Sequence, residues 1–204
     1  MRRVESMKKE YDLSKLKKNS AVLVVDMQND FASREKNTPE RWEQINRIIP
    51  NIKTILQKAR EKGIPVIYTK EVHRARGVDF GIELQFEEEH CIEGTPGAEI
   101  IEELKPQEGD YLITNKRRYS AFMGTDLQIL LRGLKVENLI LTGAFTDVCI
   151  LATAMDARAL DYRVIIPEDA VVGTNVERHQ AALKCIDYVV GHITASKNII
   201  EALS

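Results

Sequence analysis

Cysteine is scarce in this chain of 204 residues: Cys91, Cys149 and Cys185 have no C-x-x-C spacing. An odd count does not suit a secreted disulfide framework, so reduced thiols are expected. Long apolar runs are missing too. None approaches the roughly eighteen residues of a membrane span, and Met1-Arg2-Arg3-Val4-Glu5 opens a charged arm without a signal-peptide core. A cytoplasmic protein with no membrane partner is therefore expected. Charge of one sign is not in excess: 29 basic and 31 acidic residues leave a formal net charge of −2. Binding duplex phosphates needs a basic face, so nucleic acid is not the expected partner. Internal repeats, low-complexity tracts and interdomain linkers are also absent.

What is present is an alternation of short apolar strands with amphipathic helices, the pattern of a three-layer, doubly wound α/β domain. Six strands are predicted: Ala21 to Val25, Ile64 to Tyr68, Tyr111 to Thr114, Leu139 to Thr142, Arg163 to Ile166 and one around Tyr188 to Thr194. Thr38-Pro39 reads as an N-cap with proline at the first helical position. Ile45, Ile48, Ile49, Ile52, Ile55 and Leu56 then mark a long helix ending at Gly63, in which Pro50 fits as a kink or break. Thr125-x-x-Gln128 reads as a capping box. Cys185 falls on a helical pattern whose apolar side would take it into the core. Residues 1–20, with seven lysines and arginines, are expected to form an exposed arm or an oligomer contact, and residues 21–204 the domain.

Three strand ends carry chemistry. Cys149 follows Leu139-Ile140-Leu141-Thr142-Gly143-Ala144-Phe145, where a strand breaks at a glycine and a helix begins. With Thr146 as N-cap, the helix dipole and free N–H groups would favour a thiolate, with a pKa below the roughly 8.5 of a free thiol. Asp26 closes the first strand, and ligands of open α/β sheets bind outside the carboxyl ends of strands. Lys116 stands just past the third strand and opens Lys116-Arg117-Arg118-Tyr119-Ser120-Ala121-Phe122. An acid, a cation and a thiol would thus meet.

Four blocks in order resemble the isochorismatase-like cysteine hydrolases, which include nicotinamidases, N-carbamoylsarcosine amidohydrolases and biuret hydrolases. They are Val24-Val25-Asp26-Met27-Gln28-Asn29-Asp30-Phe31; Gly94-Thr95-Pro96-Gly97-Ala98-Glu99-Ile100; Lys116 to Phe122 with Gly124-Thr125-Asp126-Leu127; and Leu141 to Cys149. The resemblance implies the Rossmann-like fold of that family, with a mostly parallel six-stranded sheet, and a catalytic triad of Asp26, Lys116 and Cys149. It also implies a cis peptide joining Ala144 to Phe145, with the Phe145 and Cys149 N–H groups as oxyanion donors. The expected reaction is hydrolysis of a C–N bond in a small amide or ureido compound through a thioester on Cys149, releasing ammonia or an amine. Vinyl-ether hydrolysis of the isochorismatase type is the alternative, although those enzymes lack the cysteine. Family members usually assemble as dimers or tetramers, so a homodimer or homotetramer is expected.

Within the resemblance, Glu71, His73, Asp79 and His90 fall where nicotinamidases bind a divalent ion through one aspartate and three histidines. Two imidazoles and two carboxylates could hold zinc, iron or manganese; otherwise the histidines make hydrogen bonds or line the pocket. No cofactor is required by the chemistry. Phe31, His73, Arg118 and Tyr119 are the pocket candidates, and Arg117 or Arg118 could pair with a substrate carboxylate. Two other classes remain. A phosphatase with an aspartate nucleophile would need a second acid close to Asp26, which Met27-Gln28 does not supply. A non-catalytic binding protein could share the fold.

Overall fold

Every residue of the first strand, β1 (Ser20–Val25), is buried. A strand apolar on both faces needs cover on both, which is the position of a central strand in a parallel sheet. The computed structural model describes residues 11–17 and 19–204. The other strands are β2 (Val66–Glu71), β3 (Tyr111–Lys116), β4 (Asn138–Ala144), β5 (Arg163–Pro167), β6 (Val171–Val172) and β7 (Gly191–Thr194). They form one sheet in the order β3-β2-β1-β4-β5-β7, with β6 paired to the end of β4, and every pairing is parallel. The sheet has seven strands rather than six, because β6 is too short to leave a pattern in the sequence. The last predicted strand shortens to Gly191–Thr194, its first residues coiling into a π turn at Ile186–Val190.

Alternation along the strands assigns the two faces. Val22, Val24, Ile140 and Ile165 point to one side and pack with Ile45, Ile52 and Ile55 of α2 (Pro39–Glu61) and Ile199 and Leu203 of α6 (Ser196–Leu203). Leu23, Val25, Leu139 and Leu141 point to the other. They meet Leu127 and Leu131 of α3 (Leu127–Gly133), Ala154 and Ala157 of α4 (Leu151–Ala159) and Leu183 of α5 (Val176–Cys185). Each fully buried isoleucine or leucine contributes about 1.5–3 kcal/mol, so the two cores carry the fold. A four-residue helix, α1 (Asn29–Ala32), follows β1.

Several local expectations change. Pro50 lies inside an uninterrupted α2, on its exposed side, where water can serve the carbonyl left without a donor. The capping box does not form: Asp126 holds the N-cap position, and Thr125 Oγ1 accepts from Leu127 N instead. Cys185 is exposed, since Ala182, Leu183, Ile186 and Val190 make up the buried stripe. The arm expected over residues 1–20 falls partly outside the described residues. Within them, a 3-10 turn at Leu13–Lys17 buries Leu16 completely against the α2 side, and Ser20 opens β1.

The chain builds β1, β2 and β3 outward on one side, then returns to build β4, β5 and β7 on the other. The order reverses between β1 and β4, which opens a crevice at their carboxyl ends. Asp26 leaves β1 there and Phe145 leaves β4. The two strands approach closely at Gly143, where φ is +105° and an added Cβ would meet Val25 O at 2.3 Å.

Candidate active site

Asp26 turns out of β1 in the left-handed region, with φ of 48°, an uncommon conformation for a non-glycine residue. Thr69 on the neighbouring β2 holds it there: Oγ1 accepts from Asp26 N at 3.1 Å and donates to Asp26 Oδ1 at 2.6 Å. The second oxygen, Oδ2, faces Lys116 Nζ at 2.7 Å. Lys116 ends β3 and is fully buried. Its ammonium also lies 3.4 Å from Cys149 Sγ and donates to Glu71 Oε2. The structure thus brings Asp26, Lys116 and Cys149 together.

Glu71 comes with them. A register shift between Thr69 and Glu71 sets Glu71 directly across from Lys116 on the edge strand. Gln28 braces it, its amide oxygen accepting from Glu71 N at 2.7 Å while its nitrogen donates to Glu71 O and Ala98 O. Glu71 Oε1 receives His73 Nε2 and His90 Nε2, both at 3.3 Å. Read only as a possible metal ligand in the sequence, Glu71 is a direct neighbour of the triad. The signal was there: Thr69, Glu71 and His73 are two apart, on one side of a strand.

Cys149 does not sit in the first turn of an ordinary helix. Residues Thr146–Ile150 form a π turn ahead of α4, pinned by Val148 N and Ile150 N donating to Phe145 O at 3.0 and 3.1 Å. Phe145 takes the N-cap position with no side-chain cap. Thr146 is wholly buried, its hydroxyl paired with His179 Nδ1 at 2.9 Å. The Ala144–Phe145 peptide is cis.

The expected low thiol pKa is also overturned. Burial pushes the Cys149 thiol well above the ordinary range, with Asp26 and Glu71 adding to it and only Lys116 pulling it down. Burial raises Asp26 as well, helped by Glu71 and opposed by Lys116. Burial works against charge on Lys116, but Asp26, Cys149 and Glu71 outweigh it and hold the ammonium well above the usual lysine range. For Glu71 the balance is reversed: burial is overcome by Lys116 and the histidine hydrogen bonds, and the carboxyl lies well below the usual range. His90, although half-buried, is raised to about 9 by Glu71 and the Glu88 carbonyl. Lys116 and Glu71 are thus held in their charged forms, while burial works against charge on both Cys149 and Asp26.

A cavity of about 240 Å³ opens over Cys149, lined by Phe31, Arg41, Glu83, Glu87, His90, Tyr119, Phe145 and Val148 among others. Of the sequence candidates for the pocket, Phe31 and Tyr119 line it. His73 does not, being fully buried and stacked on Phe80 with ring centroids 3.8 Å apart. Arg118 is drawn away to the Asp79 carbonyl at 2.7 Å, and Arg117 to the Asp79 carboxylate at 2.8 Å. Asp79 therefore serves arginines and lies 3.5 Å from His73 Nδ1. Among the described residues two clusters could hold an ion: Glu71, His73, Glu83 and His90, with Glu83 in the place expected of Asp79, and Asp26, Glu71 and Cys149. Two imidazoles and two carboxylates fit a divalent transition metal. A wider depression of about 590 Å³ lies near the β7 edge between Tyr11, Arg158 and His192, away from this chemistry.

The model of the isochorismatase domain matches residues 20–198. The chain belongs to the isochorismatase family. An Arabidopsis thaliana protein named "Probable inactive nicotinamidase" is 37% identical over 173 residues, covering 80% of this chain and 86% of its own. The N-carbamoylsarcosine amidase of Arthrobacter sp is 31% identical over 189 residues, covering 90% of this chain and 70% of its own. A cysteine hydrolase of Pseudomonas syringae superposes with a TM-score of 0.82 at 27% identity, covering 96% and 95% of the two chains. The parallel, helix-flanked sheet of this isochorismatase-family cysteine hydrolase is the fold it shares with its structural neighbours. Among its described residues no helix is long and apolar enough to cross a membrane.

Proposed function

We propose that this hydrolase cleaves the C–N bond of a small amide or ureido compound through a thioester on Cys149. The observation that carries this reading is Lys116 Nζ, 2.7 Å from Asp26 Oδ2 and 3.4 Å from Cys149 Sγ inside a closed, buried cluster. Asp26 takes the thiol proton as Sγ attacks the substrate carbonyl carbon. The fixed charge of Lys116 stabilises the thiolate as it forms. The N–H groups of Phe145 and Cys149 receive the developing oxyanion. As the intermediate collapses, Asp26 returns the proton to the leaving nitrogen, and ammonia or an amine departs. Water then gives a proton to Asp26 and attacks the thioester, releasing the acid and restoring the thiol. The high pKa of the resting thiol suits this route, because the nucleophile is unmasked only when Asp26 can take its proton.

Glu71, His73, Glu83 and His90 would hold a divalent ion, whose chemistry when bound would be Lewis-acid contact with a substrate oxygen or ring nitrogen. No step above passes through it, and we propose that none is required.

Ammonia release from nicotinamide, biuret, maleamate, N-carbamoyl amino acids and ureidoacrylate, measured beside Cys149→Ala, tests the reading. Turnover by the parent and its loss in the variant are expected. Equal activity in both, or none in the parent, would overturn it in favour of ether hydrolysis or simple binding.

A further inference from the structure

One cation in the cavity is used by nothing described so far. Arg41 lies in the first turn of α2, just past the Thr38 N-cap, whose hydroxyl accepts from Arg41 N. That turn returns the chain to the carboxyl end of β1, so the side chain reaches the crevice. The guanidinium carbon sits 4.4 Å from the centroid of the Phe145 ring, and Nη1 donates to Thr174 O. Cation–π contact with the ring and the Thr174 carbonyl aim the group without neutralising it. Its own contacts are the Thr174 carbonyl and the Phe145 ring, and among the described residues no carboxylate pairs with it. The acid whose charge reaches it, Asp147, gives its oxygens to the N–H and hydroxyl of Thr174 rather than to the guanidinium.

The other candidates are spent. Lys116 is shared between Asp26 and Glu71, His90 is paired with Glu71, and Arg117 and Arg118 are held by Asp79 outside the cavity. A guanidinium has five donors in a planar fork that matches a carboxylate, and most of those on Arg41 remain. Elsewhere on the wall stand Glu83 and Glu87, which would repel an anion and suit N–H donors. The cavity, about 240 Å³, is at the small end for a ligand site, which favours a short ligand.

We infer that Arg41 is a specificity residue, and that the substrate is a short amide or ureido compound ending in a carboxylate, which Arg41 binds beside Phe145. The inference rests on the hydrolase reading for its reacting end. Its own content is the anionic tail and the residue that selects it.

Matched pairs test it: N-carbamoylglycine against isobutylurea, and succinamate against 4-methylpentanamide, where an isopropyl group replaces the carboxylate in shape. The parent should favour each acid by about 100-fold in kcat/KM, mainly through KM, the factor that a charge-assisted hydrogen-bonded pair supplies. Arg41→Met keeps an apolar chain over Phe145 and should bring that preference below tenfold, while Arg41→Lys restores part of it. No preference in the parent overturns the inference. So does an equal fall for both members of a pair in Arg41→Met, carried in kcat, which would mark a residue that only supports Phe145. Calorimetry with Cys149→Ala separates the two readings. Tighter binding of the acids, weakened when Arg41→Met is added, would uphold the tail site even if no amide were hydrolysed; equal binding of acid and neutral partner would overturn it even if neutral amides were turned over.

Discussion

On the β1 side of Lys116, Asp26 is held by one hydroxyl and the ammonium, and burial drives its pKa up. On the β2 side, Glu71 has the same ammonium plus two imidazole nitrogens, and its pKa is driven down. Both carboxylates are almost completely buried, so solvent exposure does not separate them. The count of donors does. A carboxylate with several donors stays charged and serves as a fixed counter-ion, whereas one with few can take and return a proton. The lysine is thus anchored from one side and left to influence chemistry on the other.

Breaking the reactive side should have the largest effect. Cys149→Ala is expected to lower kcat by about 10⁴-fold or more and Asp26→Asn by about 10²–10⁴-fold, both read from single-substrate kinetics. Lys116→Met breaks both sides together by leaving two buried carboxylates without their cation. It should cost about 3–5 kcal/mol of stability, measured as a fall in the urea midpoint.

The anchor side should be milder and should move pH dependence. In the proposed mechanism the acid limb of kcat/KM reports protonation of the Asp26–Cys149 pair in the free enzyme. Glu71 raises Asp26, so Glu71→Gln should shift that limb to lower pH, with a loss of about 10–100-fold at the plateau. Thr69→Val should shift it the other way, because the Thr69 hydrogen bond lowers Asp26. Limbs that move together in the two variants would refute the division of labour between the carboxylates. The smallest effect expected is that of chelation. Treatment with a strong chelator, checked by metal analysis of the protein, should leave kcat within about twofold if Glu71, His73, Glu83 and His90 hold no ion that the reaction needs.

Much of this was legible beforehand because strands and helices announce themselves by period. The five longest strands, the Thr38 cap and the two helix-covered faces follow from residues spaced two or three to four apart. Asp26, Lys116 and Cys149 were legible for a related reason, each closing or following an apolar strand at its carboxyl end. The misreadings have a common cause. Thr146, Thr125 and Cys185 were judged on their nearest neighbours in sequence, and each is governed by a contact or packing face elsewhere: His179 for Thr146, Ala121 for Thr125, and the buried stripe of α5 for Cys185. The thiol pKa differs for the same reason: burial raises it most, and the buried carboxylates of Asp26 and Glu71, the latter 3.9 Å away, add to that, none of which a helix dipole contains.

Sequence by itself determined that the chain folds as one parallel α/β sheet and which strand ends carry an acid, a cation and a thiol, because periodicity and strand polarity are local properties. Tertiary structure alone decided that Glu71 joins them, that Asp79 belongs to arginines, and that Arg41 reaches the cavity from a helix fifteen residues past Asp26. Those outcomes depend on a register shift between neighbouring strands, on competition among donors for each carboxylate, and on the path of a crossover helix. None of these is written in any single stretch of chain.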